Sequence, residues 1–163
     1  MTSRHLALLV LLFSLLGSGC ADTMSVRHLP RTPWTSSEPQ TLHMKYLHFQ
    51  YRMVQVEEDL GIMGEAFPVV EKLPGWASWY GQIHINVYVT DKYGKVLASA
   101  EKDLLPRTLD REGPLPVEVR IPYSDDLRQP LYVTFGYNLV FTSTPDASTE
   151  TKRLVATENA LTE

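Results

Sequence analysis

Alternation of apolar and polar residues with a period of two runs through the middle of this chain. In "QIHINVYVT", Ile83, Ile85, Val87 and Val89 interleave with Gln82, His84, Asn86 and Tyr88, one set for each face of a strand. "DKYG" follows. Asp91 is suited to start a turn and Gly94 to take the left-handed position that closes it, and Val96, Ala98 and Ala100 then alternate again, so the stretch predicts a hairpin. Leu115, Val117, Val119, Ile121 and Tyr123 predict another strand, and Leu131, Val133, Phe135, Tyr137, Leu139 and Phe141 one more. Clean alternation implies antiparallel sheets with one face solvated.

The stretch before these is less regular. Leu47, Phe49, Tyr51 and Met53 share one face, whereas Val54 and Val56 fall on the other, the pattern that a bulge or a switch between sheets produces. "LGIMGEAFPVV" predicts a further strand, with Gly61 and Gly64 marking kinks or close approaches. Six to seven strands joined by short turns predict an all-β domain, a two-layer antiparallel β-sandwich of immunoglobulin-like or transthyretin-like character. Residues 143–163 are polar and lack period two, so they read as a frayed tail, with a weak helix over Thr151–Leu161 as the alternative.

The opening of the chain follows a different rule. Arg4 supplies a charge, Leu6–Leu16 is apolar apart from Ser14, and Gly17, Ser18 and Gly19 are small. That order is the pattern of a secretory signal peptide over 1–19, and the run is too short to cross a bilayer as a helix. Residues 20–40 hold Pro30, Pro33 and Pro39 among Ser and Thr, and read as a tether of about 25 Å average reach. The organisation expected is therefore 1–19 signal peptide, 20–40 tether, 41–142 sandwich and 143–163 tail.

"LLGSGC", residues 15–20, resembles the lipobox of bacterial lipoproteins, with a small residue before the only cysteine. The resemblance implies that Cys20 carries the lipid, palmitate included, and becomes the mature N-terminus. It covers the first twenty residues alone. Ala21, rather than aspartate, follows the cysteine, which by the same resemblance implies the periplasmic face of the outer membrane rather than the inner membrane. The alternative is cleavage after Ala21 at an A-x-A-like site, which removes Cys20 and releases the protein. One cysteine allows no disulfide within the chain, so the domain stands on its core.

The formal charge is −4, with acids and bases interspersed, which does not suit a nucleic-acid partner. Candidate chemistry is sparse. His28, His43, His48 and His84 include no close-spaced pair; His48 and His84 are placed to meet across two strands, but no third ligand is evident, so no metal site is expected. Glu57, Glu58, Asp59, Asp125 and Asp126 read as solvated turn charges. There is no nucleophile elbow, phosphate-binding loop or dinucleotide fingerprint, and no catalytic residue or cofactor is expected. What stands out is "KLPGWASWYGQ", where Trp76, Trp79 and Tyr80 crowd one connection between strands. Such rings stack on sugars or grip a protein partner, or else fold back to plug the sandwich. The sequence therefore points to a non-enzymatic interaction or assembly module, held at the membrane through Cys20, with an envelope protein as partner. A carbohydrate- or peptidoglycan-binding module using Trp76–Tyr80 is the alternative, and an envelope hydrolase the third reading.

Overall fold

The computed structural model describes residues 23–35, 38–57, 59–122, 124, 127, 130–146 and 151–163. Cys20 and the whole export segment lie outside the described residues, as do Glu58, Tyr123, Asp125 and Asp126. The described chain forms strands β1 (Met24–Ser25), β2 (Thr32–Pro33), β3 (Gln40–His43), β4 (Leu47–Val56), β5 (Asp59–Pro68), β6 (Trp79–Thr90), β7 (Val96–Leu104), β8 (Arg107–Thr108), β9 (Leu115–Ile121), β10 (Tyr132–Thr142), β11 (Arg153–Glu158) and β12 (Leu161–Thr162). A 3₁₀ turn spans Val70–Lys72.

The architecture is an antiparallel β-sandwich. One sheet has the order β3-β4-β5-β9. The other has the order β11-β10-β6-β7, with β2 pairing β10 and β8 pairing β6. Inward residues of the two layers meet in one core: Phe49 stacks on Phe135 with centroids 4.0 Å apart, and Tyr51 meets the same ring edge-on at 4.8 Å. Such offset and T-shaped pairs add about 1 kcal/mol each beyond the area they bury.

The expected hairpin is present. Asp91 Oδ1 accepts hydrogen bonds from the amides of Tyr93 (2.8 Å) and Lys95 (3.0 Å), and Gly94 sits at φ 86°, a conformation that costs a side-chain-bearing residue more than glycine. The expected change of face in β4 is absent. β4 pairs β5 without a register shift from Leu47↔Pro68 to Val56↔Asp59. Val54 and Val56 stay on the outer face, where their methyl groups cover the space above Gly61. The bulges lie elsewhere, one in β6 opposite Val140/Phe141 and one between Val89 and Thr90 opposite β7.

Two segments depart from the sequence reading. The tail over 143–163 is neither frayed nor helical across its described part, where β11 and β12 lie. β11 pairs with β10 from Tyr137↔Glu158 to Thr142↔Arg153, turning Ala156 into the core and completing the sheet's edge. The tether over 20–40 is also docked across its described part. Val26 and Leu29 are buried, Trp34 packs against the core, and Ser25 bridges to Lys95. β1 pairs with β12, so the first described residues lie beside the last. Isolated apolar residues among prolines and charges show no period, so the sequence carried no signal of this packing; tertiary contacts alone bury them.

Candidate functional site

The groove on the second sheet begins with one extra residue in β6. Phe141 pairs with Tyr80 and Val140 with Gln82, which leaves Gly81 unpaired between them. A bulge of this kind shifts the alternation by one residue. Upstream of Gly81 the parity therefore differs from that of Ile83 and Ile85: Tyr80 enters the core and Trp79 faces out.

Three strands then set a row across the outer face. Trp79 pairs with Thr142, and Thr142 with Arg153; one step along, Gln82 pairs with Val140, and Val140 with Val155. Trp79, Gln82, Pro106, Val140, Asp146 and Arg153 line a groove of about 480 Å³. Trp79 is half-buried and Gln82, Asp146 and Arg153 are exposed. The groove's rim is held by local bonds. Ser78 donates from its amide to Thr142 O (3.0 Å) and from its hydroxyl to Ser143 O (2.6 Å). Thr142 Oγ1 donates to Thr144 O at 2.7 Å. The groove runs beside β11, whose far side pairs with no strand among the described residues. Val155 is 56 % exposed there. Chemically the site offers one indole face, an apolar strip at Val140 and Pro106, and an amide, a carboxylate and a guanidinium around them.

The three aromatics singled out in the sequence do not form one platform. Tyr80 is 1 % exposed and packs on Phe141 at 5.1 Å, so it cannot touch a ligand in the groove. Its hydroxyl has no hydrogen-bond partner among the described residues. Burial raises the Tyr80 pKa, the charge of Asp110 adds to the rise, and Arg107 opposes it. Trp76 packs partly buried against the core. Its loop is pinned by Arg111, whose Nη2 donates to Pro74 O (2.9 Å) and Ala77 O (3.0 Å). Trp79 alone reaches the groove. Gln82, Asp146 and Arg153 were not singled out; Arg153 was legible only by recognising β11.

The histidines are separated. His48 lies in the first sheet, stacked between His43 (5.7 Å) and Phe67 (5.1 Å), whereas His84 lies in the second, so the pair expected to meet does not. Among the described residues no three His, Cys, Asp or Glu converge as a metal site.

The polar face of β6 forms a network instead. His84 Nδ1 lies 2.7 Å from Asp103 Oδ1, and its Nε2 lies 3.1 Å from Asn86 Oδ1. Asn86 donates to Asn159 Oδ1 at 2.7 Å, and Asn159 donates to Tyr137 O (3.2 Å) and Asn138 Oδ1 (2.9 Å). Tyr88 joins it through Asn159 and Ala160. This network satisfies the buried Asn86 and fixes the residues after β11 to the sheet, which makes it structural.

No family model, no curated protein and no solved structure matches this chain.

Proposed function

We propose that this chain is a lipid-anchored protein of the bacterial cell envelope, acting as a non-enzymatic interaction or assembly module whose contact surface is the Trp79 groove. The observation that carries the reading is Trp79, half-buried on an outer sheet face two strands in from β11, whose outer edge pairs with no strand among the described residues. A tryptophan near an open strand edge is the chemistry of a protein-binding patch: the ring supplies contact area at low entropic cost, and the free backbone groups accept an added strand. The N-terminal resemblance to a lipobox supports attachment through Cys20, and Ala21 supports the periplasmic face of the outer membrane.

The test is recovery of partners from solubilised envelope with the wild-type chain, Trp79→Ala and Val155→Lys, followed by rebinding of the purified partner. The reading expects one partner whose affinity drops at least tenfold in both variants while Trp76→Ala retains it. A partner bound equally by all four chains removes the groove from the proposal. Intact-mass analysis tests the anchor: a chain beginning at lipid-modified Cys20 supports it, and one beginning at Asp22 or retaining Met1 overturns it.

A second reading rests on the same groove. Gln82, Asp146 and Arg153 around a single indole also suit a sugar ring, which stacks on the aromatic and hydrogen-bonds at its edge. Cosedimentation with purified peptidoglycan separates the two: carbohydrate binding requires pelleting that is lost in Trp79→Ala, with no protein partner needed.

A further inference from the structure

The segment after Cys20 is too short for the domain to stand off from its anchor. Thr23 already accepts a hydrogen bond from the Glu163 amide at 2.9 Å, Met24 and Ser25 pair with β12, and the Val26 amide donates to Gly94 O at 2.8 Å. Only Ala21 and Asp22 separate Cys20 from this docked chain. Even fully extended, three residues span at most about 11 Å. A lipid on Cys20 therefore brings one particular side of the sandwich against the bilayer.

That side carries a concentration of cations unusual for a chain of net charge −4. Arg27 Nε donates to Tyr93 O at 3.2 Å, and Arg31 Nη1 donates to Val26 O at 2.8 Å. A Cβ built on Gly94 would meet Arg31 at 2.5 Å and Arg27 at 3.1 Å, so both guanidinium-bearing residues lie against the β6–β7 turn. Lys95 bridges to Ser25, and Lys92 Nζ sits 4.9 Å from the centroid of the Tyr93 ring. Four fixed cations thus face Asp91 and Glu163 among the described residues, and Asp22 adds a third acid in the link to Cys20. Asp91 is occupied with the amides of Tyr93 and Lys95, and Glu163 lies 3.4 Å from Arg27. Tyr93 is 64 % exposed and Met24 40 %. An exposed tyrosine ringed by lysine and arginine matches a membrane interface, where the ring sits among headgroups and the cations meet phosphates.

We infer that Arg27, Arg31, Lys92, Lys95 and Tyr93 form a membrane-docking face that seats the domain directly on anionic phospholipid headgroups, leaving the opposite parts of the sandwich to face the aqueous space. This rests on the Cys20 anchor proposed above. The charge pattern identifies an anionic lipid surface as the occupant: neutral lipid supplies no counter-charge to the cations beyond the Arg27–Glu163 pair.

The experiment uses the full lipidated chain, whose Cys20 sulfur is consumed in the lipid thioether, so an introduced cysteine is the sole thiol. Tyr93→Cys and Leu105→Cys, the latter replacing a 79 % exposed residue, are spin-labelled in vesicles of neutral phospholipid with and without about one-third phosphatidylglycerol. Collisional access by a water-soluble relaxant is read at each site. The docking face expects the label at 93 to be protected several-fold relative to 105 in anionic vesicles, and that protection to vanish in neutral vesicles, at high salt and in Lys92→Glu/Lys95→Glu. Equal access at 93 and 105 in a lipidated, vesicle-bound chain overturns the docking face and leaves the anchor standing. A mass lacking the lipid overturns the anchor and the docking with it. An unchanged urea midpoint in the double variant establishes that lost protection reports charge rather than unfolding.

Discussion

Two inward-facing tyrosines should answer the same substitution with opposite signs. Tyr80 buries a hydroxyl that has no partner among the described residues. A buried unsatisfied polar group costs about 1–3 kcal/mol, and removing it with its ring left in place recovers part of that cost. Tyr80→Phe keeps the contact with Phe141 and leaves Trp79 and the groove untouched, so the expected gain is about 1 kcal/mol, or roughly 3–5 °C in Tm for a domain of this size. Tyr137 is the control. It accepts from the Tyr46 amide at 3.1 Å and donates to Glu158, which also accepts from the Lys45 amide at 3.1 Å. That hydroxyl ties β10 and β11 of one sheet to the β3–β4 turn of the other. Tyr137→Phe strands the Tyr46 amide and takes a donor from Glu158, and should cost about 2–3 kcal/mol. Urea denaturation of both variants at pH 7.5 reads the two values. Destabilisation of Tyr80→Phe by 1 kcal/mol or more would refute the reasoning, since it requires a hydrogen bond at a hydroxyl argued to have none.

The same tyrosines predict an alkaline limit. Burial, first among the causes, raises the phenol pKa of Tyr80 and Tyr137 above the unfolded value of about 10, so the native state keeps its protons where the unfolded state releases them. Stability is then intact below about pH 10 and falls above it by up to about 1.4 kcal/mol per tyrosine per pH unit; a flat urea midpoint from pH 8 to 11 contradicts this. Gly64→Ala places a Cβ 2.6 Å from Tyr51 Cα, backbone that cannot move aside within a paired hairpin, and should cost about 3 kcal/mol or prevent folding, read as soluble yield and urea midpoint. Asn159→Ala removes the acceptor of the buried Asn86 amide and should cost about 2 kcal/mol, with faster amide exchange across β11. Arg111→Ala frees the carbonyls of Pro74 and Ala77 and should increase acrylamide quenching of Trp76 fluorescence, measured in a Trp34→Phe/Trp79→Phe background; unchanged quenching means that core packing alone holds the loop.

The sandwich was legible wherever one strand carries several large apolar residues in phase. Ile83 to Val89, Leu115 to Ile121 and Val133 to Phe141 are such stretches, and each is a strand with that face inward. The pattern failed at the edges. β11 turns only Leu154 and Ala156 inward ahead of Glu158, while Val155 faces out, so its alternation is too faint to distinguish from a polar tail. Val26 and Leu29 are buried by elements remote in sequence, and no local period marks them. The Trp79 groove was half legible. The aromatic cluster drew notice, but Gly81 decides which ring faces water, and a glycine between two strand-like stretches signals a bulge only when the parity on both sides is counted. The rest of the groove comes from β10 and β11, which pairing alone brings beside Trp79.

The seam made by β11 and β12 also constrains when this domain can form. These strands come after every other strand, and they supply both Ala156 at the core's margin and the partner of β1. Until residues 153–162 are available, β10 lacks much of its outer neighbour and β1 lacks its partner strand. A polypeptide made from its leading end thus cannot complete this edge of the sandwich until residues 153–162 have emerged. The edge is therefore closed late, because the piece that closes it is made after the strands it joins.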